Sequence, residues 1–284
     1  MNRTPRVMRQ AGFTLIEMLV ALGIFLVITG AAFTLLSSSQ QRYQTESQVL
    51  TSFQEARLGL DQMVRDINDA GFPPPTFFAA SHPLQSTSAP FGWSLGAGYP
   101  NSPCQIGVAG GGGGTCTTAT AGDNAPGDFD LIIETNPNPN PSDLSNQVVW
   151  IRYQLQGTTL MRGVANKVSG DDPDADTSAA GMLVPFVQNV VNLNCPSQIP
   201  QCQTANPGIF SGGPVPIFRY TCDTPTLPQN PPPACSSALG DNSPANIRDV
   251  AITLIVAAPS PDASTGAVRL VQLSGRGRRV NPSH

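Results

Sequence analysis

Glu17 is the only charged residue between Arg9 and Arg42, and it stands at the head of an unbroken apolar run. Met18 to Leu36 is 19 residues without a charge; as a helix it spans about 28 Å, enough to cross a bilayer core. The leader before it carries Arg3, Arg6 and Arg9 and no acidic residue, so charge asymmetry places the leader in the cytoplasm and everything downstream outside. A carboxylate within such a segment costs a few kcal/mol, which points to a function and a partner. Thr14-Leu15-Ile16-Glu17 also has capping-box spacing, in which Glu17 reaches back to a free amide at the positive end of the helix dipole. A rival reading of the whole segment is a secretory signal cut before Phe33, after the small residues Gly30 and Ala32. The run exceeds the usual apolar core of about 7 to 15 residues, and the helical pattern continues straight past that cut.

Downstream, apolar residues fall at Val49, Phe53, Ala56, Leu60, Met63 and Ile67, spaced as one face of an α-helix. Gln54, Glu55, Arg57, Asp61, Arg65 and Asp66 are assigned to the other faces. Gly71 supplies a C-cap and Pro73-Pro74-Pro75 prevents continuation, so the spacing predicts one helix from about Phe13 to Ala70.

Gly12-Phe13-Thr14-Leu15-Ile16-Glu17 followed by Met-Leu-Val-Ala-Leu resembles the amino-terminal signal of type IV pilins and type II secretion pseudopilins. The resemblance implies that a prepilin peptidase cuts between Gly12 and Phe13 and methylates the new Phe13 amine. It also implies that Glu17 meets the Phe13 amine of a neighbouring subunit as apolar helices bundle into a filament. With the leader gone no basic residue of its own helix is in reach, and a pair formed in low dielectric sets the register between subunits. Arg57-Leu58, Arg65-Asp66-Ile67 and Ala70-Gly71-Phe72 are similar to the stretch shared by PilW-type minor pilins and J-type minor pseudopilins. Read without the family, Arg57 with Asp61 and Arg65 with Asp69 are simple i,i+4 surface pairs.

The resemblance carries an α+β fold: a long amino-terminal helix laid on an antiparallel β-sheet domain with long disulfide-stapled loops. The organisation it implies is a cleaved leader (1–12), a membrane or filament-core helix (13–36), an amphipathic continuation (37–71) and an extracytoplasmic β-rich domain (72–284). Strand signals lie at Phe129 to Glu134, Val148 to Leu155, Thr159 to Arg162, Leu183 to Leu193, Pro216 to Thr221, Val250 to Ala257 and Ala267 to Leu273. Gln156-Gly157-Thr158 reads as a hairpin turn. Ile151 to Leu155, Leu160 to Arg162, Val187 to Val190 and Ile247 to Leu254 also resemble the J/W family. The chain departs from it in two inserts, 73–127 and 195–244.

All six cysteines lie in those inserts. Outside the cytoplasm they read as three disulfides, and the order Cys104, Cys116, Cys195, Cys202, Cys222, Cys235 suggests sequential pairing, with other connectivities open. Zinc finds no Cys-x-x-Cys spacing, and His82 and His284 lie far from every cysteine in sequence. Asp171, Asp172, Asp174 and Asp176 offer hard oxygens for calcium, but the glycine and distal glutamate of an EF-hand are missing, and the expectation is a solvated acidic loop. Gly110 to Gly114 lacks the Lys-Ser/Thr ending of a phosphate loop and reads as a connector. Asn136 to Pro141 is turn chemistry. Arg276, Arg278 and Arg279 form a small basic tail, read as solvated charge.

With a net charge of −4, which becomes more negative once three leader arginines are removed, the chain lacks the basic face that nucleic-acid binding needs. No nucleophile motif or cofactor motif is legible, and the expectation is a non-enzymatic subunit without a cofactor. The partners implied are the prepilin peptidase and N-methyltransferase, other minor and major pilins or pseudopilins, the inner-membrane assembly platform and the membrane. The localisation implied is a single-pass inner-membrane protein, amino terminus inward, that later enters a periplasmic or surface filament. The function expected is a minor pilin that initiates, caps or stabilises such a filament. The alternatives are a tip subunit of a type II secretion pseudopilus, or a filament-borne adhesin.

Overall fold

The computed structural model describes residues 12–77, 85–94, 99–101, 103–106, 116, 125–140, 147–168, 172–197, 201–210, 213–223, 235, 242–261, 266 and 268–279. The basic leader, the glycine run 110–114, Asp171 and both histidines lie outside them. The chain divides into two compact units, residues 1–48 and 49–284. Helix α1 (Leu15–Asn68) contributes to both.

Among the described residues of the first unit, α1 is the whole of the regular structure. Its apolar side chains are bare: Leu19, Leu22, Phe25, Ile28 and Phe33 are all exposed. It is long and apolar enough to cross a membrane, as the run of uncharged residues predicts. Thr29 and Thr34, the two hydroxyl-bearing residues between Met18 and Leu36, donate to the carbonyls of Phe25 and Gly30 (both 2.7 Å), so their polarity is absorbed by the helix itself.

In the second unit the remaining turns of α1 bury Val49, Ala56, Gly59, Leu60, Met63, Asp66 and Ile67. The helix ends where predicted to within two residues: Gly71 takes a left-handed φ of 79°, the conformation glycine adopts without a Cβ penalty. Two antiparallel sheets complete the unit. The first runs β1 (Phe91–Gly92), β2 (Asp130–Thr135), β3 (Val149–Gln156), β4 (Thr159–Asn166), then β5 (Val184–Val187). The second runs β6 (Phe218–Cys222), β7 (Ile247–Ala257), β8 (Leu270–Arg278). The expected α+β class is borne out. All seven anticipated strand regions hold a strand, and β3 and β4 are joined through Gly157 (φ 61°) as the hairpin predicts. Among the described strands only the two-residue β1 has no counterpart in the sequence reading.

The two faces of the first sheet differ in chemistry. Leu131, Ile133, Ile151, Tyr153, Leu155 and Leu160 point to one face and form a single core with Ala56, Met63 and Ile67 of the helix. Three glycines let α1 sit close: a Cβ at Gly59 would lie 2.5 Å from Val187 Cγ2, one at Gly275 3.0 Å from Leu60 Cδ1, and one at Gly277 2.5 Å from Ile67 Cγ2. The opposite faces are covered by the inserts. Residues from the segment around Cys195, Cys202 and Phe210, with Val191, close over Ile255 and Ala257 of the second sheet. Ala125 and Tyr99 lie over Ile132 and Trp150 of the first.

Four expectations need correction. The run Leu183 to Leu193 is not one strand, because Asn189 adopts φ 58° and turns the chain from β5 towards an isolated bridge between Val190 and Val256; asparagine tolerates that left-handed conformation. Asp66 is not on a solvent face but 7% exposed, satisfied by cross-sheet partners described below. The acidic segment is not a solvated loop: Pro173–Ser178 forms the short helix α2, with Asp172 as its N-cap accepting from the Asp174 amide at 2.9 Å. The basic tail is only partly solvated, since Arg279 is 8% exposed and donates to the Ala245 carbonyl at 2.6 Å, while Arg276 pairs with Asp249 at 2.8 Å.

Candidate assembly and docking sites

At the amino-terminal segment the backbone of Gly12, Phe13 and Thr14 is extended and the helix begins at Leu15. Gly12 and Phe13 are exposed, Phe13 at 85%, so the junction between them is open to an enzyme. Thr14 and Glu17 form a capping box. The Thr14 amide and hydroxyl both donate to Glu17 Oε2, at 3.0 and 2.9 Å, and the Glu17 amide donates to Thr14 Oγ1 at 3.4 Å. Both donors use one carboxylate oxygen; Oε1 has no partner among the described residues. The box therefore holds the side chain in one orientation and leaves an acceptor available to a cation from elsewhere.

In the second unit the family-like stretch of α1 separates into two sets. Asp66, Ile67, Ala70 and Gly71 turn inward. Asp66 Oδ2 accepts from the Tyr153 hydroxyl at 2.5 Å and from Arg162 Nη2 at 3.0 Å, Arg162 Nε donates to the Tyr153 oxygen at 3.0 Å, and Gln62 donates to Asp66 Oδ1 at 2.7 Å. Ile67 and Ala70 are fully buried, and the Gly71 amide donates to the Glu134 carbonyl at 2.9 Å. Burial, then the neighbouring Asp66 charge, pushes the Tyr153 phenol well above its ordinary pKa, with Arg162 opposing. Burial and Asp66 also raise the Asp69 carboxyl. Arg57, Leu58 and Arg65 instead face solvent, and neither the Arg57–Asp61 nor the Arg65–Asp69 pair forms among the described residues.

Two buried polar clusters on the far face of the first sheet escaped the sequence reading. Arg152, fully buried, donates from Nε and Nη2 to Asp130 (3.0 and 2.5 Å) and from Nη1 to Asp174 (2.6 Å). Burial works against this cation, but its bonds and charges with Asp130 and Asp174 hold its pKa above the ordinary guanidinium value. Asp174 is thereby engaged with Arg152 and Asp172 with its own helix. Among the described residues no group of three metal-ligating side chains occurs, Asp172, Asp174 and Asp176 included. In the second cluster Glu134 accepts from the Ser88 amide (2.6 Å), Lys167 Nζ (2.8 Å), Trp150 Nε1 (3.2 Å) and the Tyr99 hydroxyl. One carboxylate thus ties the first insert to the sheet. Asp130, Glu134, Arg152 and Gln154 alternate with apolar neighbours, the ordinary signature of a wetted strand face, and it is the covering first insert at Glu134 and helix α2 at Arg152 that make them interior.

The cysteines pair sequentially: Cys104 with Cys116, Cys195 with Cys202, and Cys222 with Cys235.

Residues 7–33 match the family signature described as the prokaryotic N-terminal methylation motif. No curated protein matches the chain. Among solved structures it is similar to the type IV-like pilin TTHA1219 from Thermus thermophilus, with 10% identity, a TM-score of 0.36, and coverage of 81% of this chain and 96% of that one.

Proposed function

We propose that this chain, a member of the type IV pilin and pseudopilin superfamily by its amino-terminal signature, is a minor pilin that initiates, caps or stabilises a type IV pilus-like filament. The observation that carries the reading is the conjunction of the methylation motif with Glu17 at the head of an apolar helix whose side chains are bare. In this reading residues 1–12 are removed, Phe13 becomes the methylated terminus, and residues 13–36 pass from the inner membrane into the filament core. The inner-membrane assembly platform drives that transfer, and residues 72–284 act outside the cytoplasm. Glu17 Oε1 takes the Phe13 amine of a neighbour while Oε2 keeps its bonds to Thr14, so capping and pairing are compatible. The likeness of Arg57-Leu58, Arg65-Asp66-Ile67 and Ala70-Gly71-Phe72 to PilW-type and J-type subunits supports a minor role. The same likeness supports a second reading, a minor pseudopilin at the tip of a type II secretion pseudopilus; co-purified subunits distinguish the two.

Mass spectrometry of sheared filaments tests the proposal. A peptide beginning at N-methyl-Phe13, at low stoichiometry relative to the major subunit, is the expected result. A terminus at Phe33, or absence of the chain from fibres, overturns it.

A further inference from the structure

Among the described strands four lie at sheet edges, and three of these are closed to further pairing. β1 is two buried residues. β5 has four, with Pro185 among them and a register shift where it meets β4. β6 is met on its outer side by other segments of the chain: the Phe218 amide donates to the Asp128 carbonyl at 3.1 Å, and the Cys235 amide to the Tyr220 carbonyl at 3.2 Å. Short length, proline, irregular register and cover all keep an edge from recruiting a strand. β8 has none of them. It runs nine residues without proline and pairs with β7 in unbroken register.

The free groups of β8 follow from the pairing. The Thr253 and Ala257 amides of β7 donate to Ile217 and Asn189 on the side away from β8, at 2.8 and 2.9 Å. Alternation turns Ile252, Leu254 and Val256 towards β8, where their partners are Gly275, Leu273 and Val271. Leu270, Gln272, Ser274 and Arg276 therefore direct amide and carbonyl outward, and none of these groups has a partner among the described residues. Arg278, next in the row, marks the direction: its amide donates to Asn68 Oδ1 of α1 at 2.9 Å. An amide and a carbonyl on every second residue, over about 20 Å, match another extended backbone and no small ligand.

Side chains define the partner's chemistry. Gln272, Ser274, Arg276 and Arg278 are exposed on one face, and the Arg278 guanidinium has no ion-pair partner among the described residues. Val271 and Leu273 lie on the face shared with Gly275, which meets α1. A complementary strand alternates polar with apolar residues and places a carboxylate by Arg278. Direction defines its source. Leu60 and Val64 meet Gly275, and Ile67 meets Gly277, so β8 runs alongside α1 in the same sense. In the filament proposed above the helices share that sense, and a neighbour built on the same plan holds its strands along β8. Identical edges pair with themselves about a twofold axis, which would reverse a second copy's helix, and the other edges of a copy are closed. We infer that β8 accepts an acidic, extended strand from a different, adjacent filament subunit, continuing the second sheet across the boundary between them. The inference rests on the filament role.

A photo-crosslinking residue replacing Gln272 in the full chain, in cells that assemble fibres, is expected to join a β-domain peptide of a different pilin-type subunit, identified by peptide mass spectrometry. Crosslinks only to an amino-terminal helix, only to this same chain, only to proteins outside the fibre, or none at all, overturn the inference. Ser274→Pro removes one outward amide and no bond to β7, so it is expected to keep its melting temperature while recovery from sheared filaments falls about tenfold. Should that variant fold poorly, Gln272→Lys with Ser274→Lys tests the same edge, with the same loss expected. Equal recovery of a folded variant and wild type defeats the edge pairing while leaving the filament role standing. Absence of the wild-type chain from filaments, or a terminus other than Phe13, defeats both.

Discussion

Asp66 shows how a single carboxylate fixes the helix on the sheet. It meets partners on β3 and β4 at once, and removing it leaves Arg162 half-buried without its counter-charge. Asp66→Ala is expected to cost about 3 kcal/mol, whereas Tyr153→Phe, which deletes one hydroxyl, costs about 1–2 kcal/mol; thermal unfolding of the solubilised full chain measures both. Glu17→Ala, by contrast, touches nothing in the second unit. It is expected to leave cleavage after Gly12 and the unfolding transition unchanged while filament incorporation falls, as immunoblots of sheared fibres would report. Three phenols, Tyr153 and Tyr220 buried and Tyr99 half-buried, give a pH signature. Tyr99, Tyr153 and Tyr220 all have pKa values raised by burial and then by nearby carboxylates. The unfolded chain releases these protons near pH 10 and the native one holds them, so stability is full below about pH 10 and falls as pH rises beyond it. Phenolate absorbance from these three should appear together with unfolding. At this scale the sequence was informative where a residue broke its surroundings, as Glu17 does in an oily run. It was silent where a charge sat in an alternating strand, as Glu134, Arg152 and Asp130 do, because alternation looks the same whether the polar face meets water, an insert or a short helix such as α2.

Among elements, α1 was the most legible, since its apolar spacing, its glycine stop and the prolines after it agree. Its contact surface was less so. Gly59, Gly275 and Gly277 are indistinguishable in sequence from loop glycines, yet they admit the helix to within contact of both sheets. Gly277→Val places a branched side chain where a Cβ already meets Ile67 at 2.5 Å, and is expected to cost at least about 1–3 kcal/mol by overpacking, read as a lowered unfolding midpoint. Asn189 splits a run that reads as one strand, because a left-handed residue is a backbone event that hydrophobic pattern does not record.

For the whole molecule, the inserts carry a meaning that composition hid. Rich in proline and glycine, they read as excursions, but their described parts cover the outer faces of both sheets and contribute Trp93, Cys104, Ile106, Phe210 and Cys222 to the interior. Their loss would expose sheet rather than merely delete a surface, so an adhesive role is better tested by substituting exposed loop residues. The bridges that staple them span sequence separations of 12, 7 and 13 residues, and each is expected to contribute about 2–3 kcal/mol. Reductant should lower the unfolding temperature of the second unit, which calorimetry with and without it would show.

In the filament role proposed above, a subunit held by its amino-terminal helix bears tension along that helix. The carboxy-terminal half of α1 hands that load to β5 at Gly59, to β3 and β4 at Asp66, to β8 at Asn68 and to β2 at Gly71. These attachments reach strands of both sheets, so a pull along the axis loads them in parallel. Rupture then demands their simultaneous failure, a mechanical resistance greater than any one of these modest bonds supplies.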